Sequence, residues 1–379
     1  MRIRVLGATA VAIVALGGVP AAALAGGSVA AGAVQTIPTP TTPTPTPTTP
    51  TSSTPTATTP TATTPTVPTA TTPTTPTPAP AKVKRVKGTA KLYLGGLFTV
   101  KRTAVTVPRR DVTVRGVVTP FRPGQRVVVE AIEHHRVFAR RTLTLRPSRR
   151  RVYGAFAITV RAPRAGVVAV ALRHSRSKLM GAFTAERHFQ VLSERVGPGS
   201  TGRFVQLLQS RLAALHVYLP QTGVFDYGTE LALDTYHRLL GQGEGDLSAG
   251  PATVTHLLDG VGAFHVRFPK QGYHAEGDLS DQVLAYIDGD QVRYLLPISS
   301  GKPSTPTILG SFRVYRKQPE YTSDGMYFSN FFSGGYAIHG YDPAPDYPAS
   351  HGCMRLNMVD AIFAYNLLSI GDWVDTYFT

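Results

Sequence analysis

The sequence predicts a multidomain, mainly β protein that also carries a small helical section and a long unstructured spacer. From Thr36 to Ala81 the text is almost entirely Thr and Pro, too poor in apolar surface to offset the entropy of ordering. Short alternating runs broken by Pro and Gly follow over residues 82–192, which is strand spacing. Apolar residues then recur at intervals of three and four over 195–262, before strand-like text returns from 263 to 379.

At the start of the chain, Arg2 and Arg4 precede an apolar stretch from Val5 to about Val19, and Ala23-Leu24-Ala25 has the small-x-small form of a cleavage site. Residues 1–25 therefore read as a signal peptide and the protein as exported, secreted or associated with the cell wall. The stretch is short and Gly-broken for a transmembrane helix, so membrane contact is expected only if it stays uncleaved. A lipid anchor at the cleavage point would need a cysteine, and the chain has one, Cys353. Residues 26–81 read as a disordered Thr/Pro-rich linker. Extended at about 3.1 Å per residue, its Thr/Pro run reaches on the order of 140 Å.

Residues 82–192 read as a basic β-sandwich. They hold 25 Lys and Arg against 4 Asp and Glu, a net of +21, where the whole chain is 39 minus 23, or +16. The strand runs are 111–118, 125–130 and 166–172, and the phrase Val114 to Pro120 leading to Pro123-Gly124-Gln125 resembles exported immunoglobulin-like modules. Outside the cytoplasm a field of this sign meets anionic wall polymers or lipid headgroups, and nucleic acid is in the wrong compartment. The alternative is a solvated spacer kept soluble by its arginines. His134-His135 reads as a solvent-facing turn with no metal role.

Over 195–262, Phe204, Leu207, Leu208, Leu212 and Leu215 mark one helix starting near Thr201-Gly202, and Thr229, Leu233, Tyr236, Leu239 and Leu240 mark a second. Leu208-Gln209, Gly223-Val224-Phe225 and the helix start at Thr229 resemble the three-helix peptidoglycan-binding domain. Gln221-Thr222 and Tyr236-His237 depart from its usual text. The competing reading is a helical spacer that packs on its neighbour without binding anything.

Residues 263–379 read as a compact β unit. The runs 282–287 and 291–296 flank Asp288-Gly289-Asp290, a hairpin signal. Residues 300–306, 309–314 and 336–340 are expected to continue the strands. Asn357 and Asp360 cap a short helix to about Leu368 with an apolar side of Val359, Ile362, Phe363 and Leu367, and a last strand runs from Trp373 to Phe378. The chemistry-bearing text is Tyr336-Ala337-Ile338-His339-Gly340 followed by Ser350-His351-Gly352-Cys353-Met354-Arg355-Leu356. A lone thiol beside two histidines in an exported chain points to a nucleophile, because thiolate is the reactive form and imidazole the usual means of generating it.

That text resembles the signature of the L,D-transpeptidase catalytic domain of bacterial cell-wall enzymes, and the Ser-Gly-Lys, Thr-Pro and Gly-x-Phe phrases upstream extend the likeness. The resemblance implies a cysteine acyltransferase without cofactor or metal, acting on peptidoglycan stem peptides. Cys353 is then the nucleophile and His339 its base, oriented by the backbone carbonyl of Gly340. The His351-Gly352-Cys353 turn would aim backbone N–H groups at the oxyanion, since glycine permits close approach. Ser350, Arg355 and Tyr327 are the expected substrate-binding residues, Arg355 by gripping a carboxylate and Ser350 by orienting the turn. The short loop Tyr341 to Pro348 would wall the cleft, with Asp342 and Asp346 placed to attract an acceptor amine. Transfer of the acyl group to water would instead make an L,D-carboxypeptidase. A non-catalytic wall-binding protein and a zinc hydrolase using His339, His351 and Cys353 are the readings from other classes.

Overall fold

The computed structural model describes residues 85–242 and 247–379. The signal-peptide segment and the Thr/Pro linker lie outside the described residues.

Ten strands come first: β1 (Thr89–Gly95), β2 (Phe98–Val100), β3 (Thr103–Thr106), β4 (Asp111–Thr119), β5 (Arg126–Glu133), β6 (Arg136–Thr144), β7 (Arg146–Pro147), β8 (Gly154–Arg161), β9 (Gly166–His174) and β10 (Phe183–Val191). They form one sheet in the order β1-β4-β8-β7 and another in the order β2-β3-β10-β9-β5-β6. Strict alternation decides which face is buried. Val112, Val114 and Val118 of β4 turn inward against Val127, Val129, Val168 and Val170 of the second sheet, while Asp111 and Arg115 stay exposed. His134 and His135 form the exposed β5–β6 turn, both with positive φ.

Three helices follow, α1 (Arg203–Ala214), α2 (Tyr227–Leu239) and α3 (Pro251–Asp259). The Asp226 side chain accepts from Thr229 N and caps α2. Pro251 opens α3 and left-handed Gly260 ends it. The residues that carried the likeness to a glycan-binding domain form one knot. Gln209 is fully buried, accepts from Gly223 N at 2.8 Å and donates to Val224 O and Thr229 Oγ1, each at 2.9 Å. Their work is to hold the turn between α1 and α2.

The last section contains β11 (Tyr273–Asp278), β12 (Val283–Asp288), β13 (Gln291–Pro297), β14 (Gly310–Arg313), β15 (Arg316–Tyr321), β16 (Tyr327–Ser333), β17 (Tyr336–Gly340), β18 (Met354–Leu356), α4 (Met358–Leu367) and β19 (Trp373–Tyr377). The sheets run β13-β12-β11-β19-β14 and β15-β16-β17-β18. The five-stranded sheet is covered on both faces, as the unbroken apolar run Val283 to Ile287 requires. Leu284 and Tyr286 face Phe332, Ile338, Met354 and Leu356 of the second sheet. Val283, Ala285 and Ile287 face the opposite way, onto Leu212, Leu233 and Tyr236 of the helices.

The helices are thus not a bead on a string. Tyr218 N donates to Leu295 O and Leu295 N to His216 O, so residues 216–218 dock on β13. On their other side Phe204, Leu207, Val254 and Leu258 share a core with Val100, Val105, Val107 and Leu192 of the basic section.

Two sequence expectations are corrected. Residues 300–306 form a turn, because Pro303 and Pro306 break the ladder and a Cβ on Gly301 would meet the Thr305 carbonyl oxygen at 2.4 Å. The buried face of α4 is Asp360, Ala361 and Ala364, while Val359 and Ile362 are exposed. Close packing is the reason: the place of a Cβ on Gly340 lies 2.5 Å from that of Ala361, so only small residues fit between helix and sheet.

Because Leu233 is fully buried in the core shared by helices and sheet, Leu233→Ala should cost about 2–5 kcal/mol. Helix loss by circular dichroism and exposure of Trp373, the single tryptophan, should occur at one urea midpoint in both proteins. Two separated midpoints in wild type would show that the helices fold apart from the sheet.

Candidate active site

Strands β17 and β18 run parallel in the register Ile338↔Met354, His339↔Arg355 and Gly340↔Leu356. Ile338, Met354 and Leu356 point into the core. Alternation therefore turns His339 and Arg355 to the opposite face, and Cys353, one residue before Met354, lies on that face beside them. Hydrophobic patterning thus places a thiol, an imidazole and a guanidinium on one side of a short parallel pair.

His339 is only 2% exposed, and its Nδ1 donates to the Gly340 carbonyl at 2.9 Å. That bond fixes the tautomer with its lone pair on Nε2. Burial pushes the imidazole down to about 4, against the raising effect of the Gly340 carbonyl, with the charge of Arg355 lowering it further. Burial pushes the half-buried Cys353 thiol up, while a backbone hydrogen bond from Ala337 and the charge of Arg355 pull it down. Sγ lies 3.5 Å from the Gly335 carbonyl oxygen. Both shifts favour the uncharged pair, thiol and neutral imidazole.

The turn before Cys353 is tightly built. Ser350 is 1% exposed, accepts from Gly352 N at 3.0 Å and donates to Cys353 O at 2.6 Å, so its hydroxyl is engaged within the turn. The Gly352 amide, expected at the oxyanion, is directed to Ser350 in this state. Gly352 has φ +118, and a Cβ there would stand 2.3 Å from the Tyr336 ring, so only glycine fits. His351 is exposed, and its Nε2 accepts from Lys302 Nζ at 3.3 Å.

Arg355 lies over the Tyr341 ring at 3.9 Å, and that ring meets His339 edge-on at 5.8 Å. Tyr341 thus joins the guanidinium and the imidazole of the face. Sequence reasoning placed it only in the loop, although its position two residues after His339 is the signal that puts it on the same side. Tyr327 pairs with Gly340 across β16 and β17 and packs in an aromatic row with Tyr321 and Phe328. A cavity of about 190 Å³ beside Arg355 is walled by Asp346 and Asn357 and by Tyr227, Leu231 and Arg238 of α2. The expected acidic loop therefore contributes Asp346 to a cavity that the helices share.

A thiol, an imidazole held in one tautomer and a guanidinium therefore share one face, an arrangement suited to acyl transfer through a cysteine. Residues 272–375 match the family model of the YkuD-type L,D-transpeptidase catalytic domain. The chain is 30% identical to an L,D-transpeptidase from Xylanimonas cellulosilytica, the alignment covering 49% of this chain and 98% of that one, with a TM-score of 0.44. An L,D-transpeptidase from Stackebrandtia nassauensis is 19% identical over 49% and 96% of the two chains, TM-score 0.32. The catalytic domain of the E. faecium L,D-transpeptidase is 25% identical over 28% and 98%, TM-score 0.26. No curated protein matches. Residues 272–375 thus belong to the L,D-transpeptidase family as its catalytic domain.

A histidine depressed to about 4 in the fold lets the unfolded chain take up its proton first, from about 6.5 downward. Its contribution is therefore complete above 6.5 and lost as pH falls toward 4, by up to about 3 kcal/mol. Buried Asp360, raised to about 7, acts oppositely, losing its contribution as pH rises through that range. The two oppose each other in wild type. Comparison with His339→Gln, which keeps Asp360, isolates the histidine: the variant should gain on wild type in urea midpoint as pH falls from 6.5 to 4. Parallel midpoints across that window would contradict the assigned burial of His339.

Proposed function

We propose that this chain is an exported cysteine L,D-transpeptidase that cross-links peptidoglycan stem peptides. The observation that carries the reading is the parallel register of β17 and β18, with Cys353 and His339 on one face and His339 Nδ1 engaged by Gly340. Cys353 Sγ attacks the carbonyl after the third residue of a stem tetrapeptide, and its proton passes to His339 Nε2. Because burial disfavours both charged forms, this transfer accompanies attack rather than preceding it. The proton then goes to the departing amine of D-alanine, leaving a thioester. The side-chain amine of a second stem attacks the thioester, gives its proton to Nε2, and the thiol re-forms. Arg355 grips a substrate carboxylate, and Tyr341 keeps it beside the base.

Incubation with a purified tetrapeptide stem and mass spectrometry of enzyme and products tests this. Wild type should release D-alanine and form a dimer joined between third residues. Cys353→Ser should form neither acyl-enzyme nor product, since a serine hydroxyl is far less acidic than a thiol. A tripeptide without dimer would identify an L,D-carboxypeptidase, and turnover by Cys353→Ser would remove Cys353 from the mechanism. Carbapenems, which present a strained amide and a carboxylate, should add their mass at Cys353.

The basic section serves, on this reading, to hold the enzyme on anionic wall polymer. A cavity of about 640 Å³ there is lined by Arg122, Arg126, Arg173 and Lys178 with no carboxylate in its wall. Removing the whole section would uncover the core shared with α1 and α3, so charge removal is the cleaner test. Changing those four residues to Gln should weaken sedimentation with wall sacculi at low salt and leave turnover of a small soluble stem unchanged. Screening over about 8 Å should erase the difference at high salt. Equal retention of both proteins at every salt concentration would reduce the section to a spacer.

A further inference from the structure

Asp234 and Arg238, one helical turn apart on α2, form an ion pair at 2.7 Å in which both side chains are nearly fully buried. Burying such a pair is costly unless its remaining hydrogen-bonding groups are satisfied. Arg238 Nη1 donates to two main-chain carbonyls of the five-stranded sheet, Gln282 O at 2.7 Å and Ile298 O at 3.0 Å. These are the points where the chain enters β12 and leaves β13.

From there the contacts lead to the nucleophile without interruption. The Gln282 side chain accepts from Ser300 N and donates to Ser300 Oγ, each at 2.8 Å. Ser300 O accepts from Ala349 N at 3.0 Å and Ser350 N at 2.9 Å. Ser299 and Arg355 exchange two backbone hydrogen bonds of 2.9 Å. Cys353 therefore sits in a turn whose two ends, Ser350 and Arg355, are both pinned to residues 299–300; Ser300 is held in turn by the Gln282 side chain, and Arg238 holds the adjoining carbonyls of Gln282 and Ile298. Gln282, Ser300 and Ser350 are each no more than 3% exposed, so water does not compete for these bonds.

We propose that Arg238, acting with Asp234, is a positioning residue for catalysis: the helical section holds the strand ends that fix the Cys353 turn. This rests on Cys353 being the nucleophile. A guanidinium suits the task, because its fork reaches a carboxylate and two carbonyls together, which an ammonium on a flexible stem does not. The helices then belong to the catalytic machinery through the sheet rather than serving as a detachable wall-binding module.

The test uses the full chain and a pair of variants. Asp234→Leu combined with Arg238→Met removes both charges at similar volume, a replacement that leaves no lone buried charge. Gln282→Met breaks the path inside the sheet. Both should keep one cooperative urea transition, at a midpoint lowered by the buried groups left unpaired, while kcat for the stem tetrapeptide, measured well below that midpoint, falls about tenfold to a hundredfold, as small misplacements of reacting groups do. KM should stay within about twofold, since the interaction lost acts in the transition state. Amide hydrogen exchange at Ser350 and Gly352 should quicken in both. Combining the two lesions should cost no more in kcat than either alone, because they lie on one path. Alkylation of Cys353 by iodoacetamide, followed by intact mass, reports the thiol even where turnover is absent, so failure of the transpeptidase reading is seen separately from failure of this one. If the double variant does not fold, Gln282→Met carries the same measurements. Folded variants with wild-type kcat and unchanged exchange at Ser350 and Gly352 would overturn the proposal, as would additive losses in kcat.

Discussion

Two backbone hydrogen bonds between Ser299 and Arg355, and two more from Ala349 and Ser350 to the Ser300 carbonyl, are the constraint on which the site depends. Without them the 350–355 turn would be a surface loop free to choose its conformation. With them, Met354 is pressed into the core against Gly277, where a Cβ would meet its sulfur at 2.6 Å, and Cys353 is turned the other way. The position of Cys353 is thus set by packing on one side of the strand and hydrogen bonding on its flank.

The same economy explains the electrostatics. A site meant to hold a standing thiolate needs exposure or several donors, and this one has neither in full. Burial raises Cys353 and lowers His339, while Arg355 eases the thiol down but also opposes a charged imidazole. Both shifts favour the proton on sulfur, and a thiol is less readily oxidised than a thiolate. The tautomer, fixed by Gly340, keeps Nε2 ready to receive that proton.

The three sections of the described chain are held by continuous cores rather than by linkers. One core joins the basic sheets to α1 and α3, and another joins the helices to β12 and β13. A sheet buried on both faces gains stability from each, so the helices offset what the small catalytic section could not bury alone. That arrangement places α2 beside Arg355, where Tyr227 and Leu231 help wall a cavity next to the site.

The sequence by itself determined the strands whose alternation or apolar run is local, such as β4, β9 and β12, the α1 and α2 periodicities, and the identity of Cys353 and His339 as the reactive candidates. These are legible because period and residue chemistry are written in neighbouring positions. Tertiary structure decided what depends on distant partners. It turned the Val359 and Ile362 side of α4 outward because Gly340 admits only small neighbours, engaged Gln209 of α1 with the turn leading to α2 and Ser350 within its own turn, and set Tyr341 between Arg355 and His339. It also brought Arg238, 115 positions before Cys353 by sequence number, into the framework of the site. No local pattern encodes such a contact, because a buried ion pair acquires its meaning only from the carbonyls that packing delivers to it.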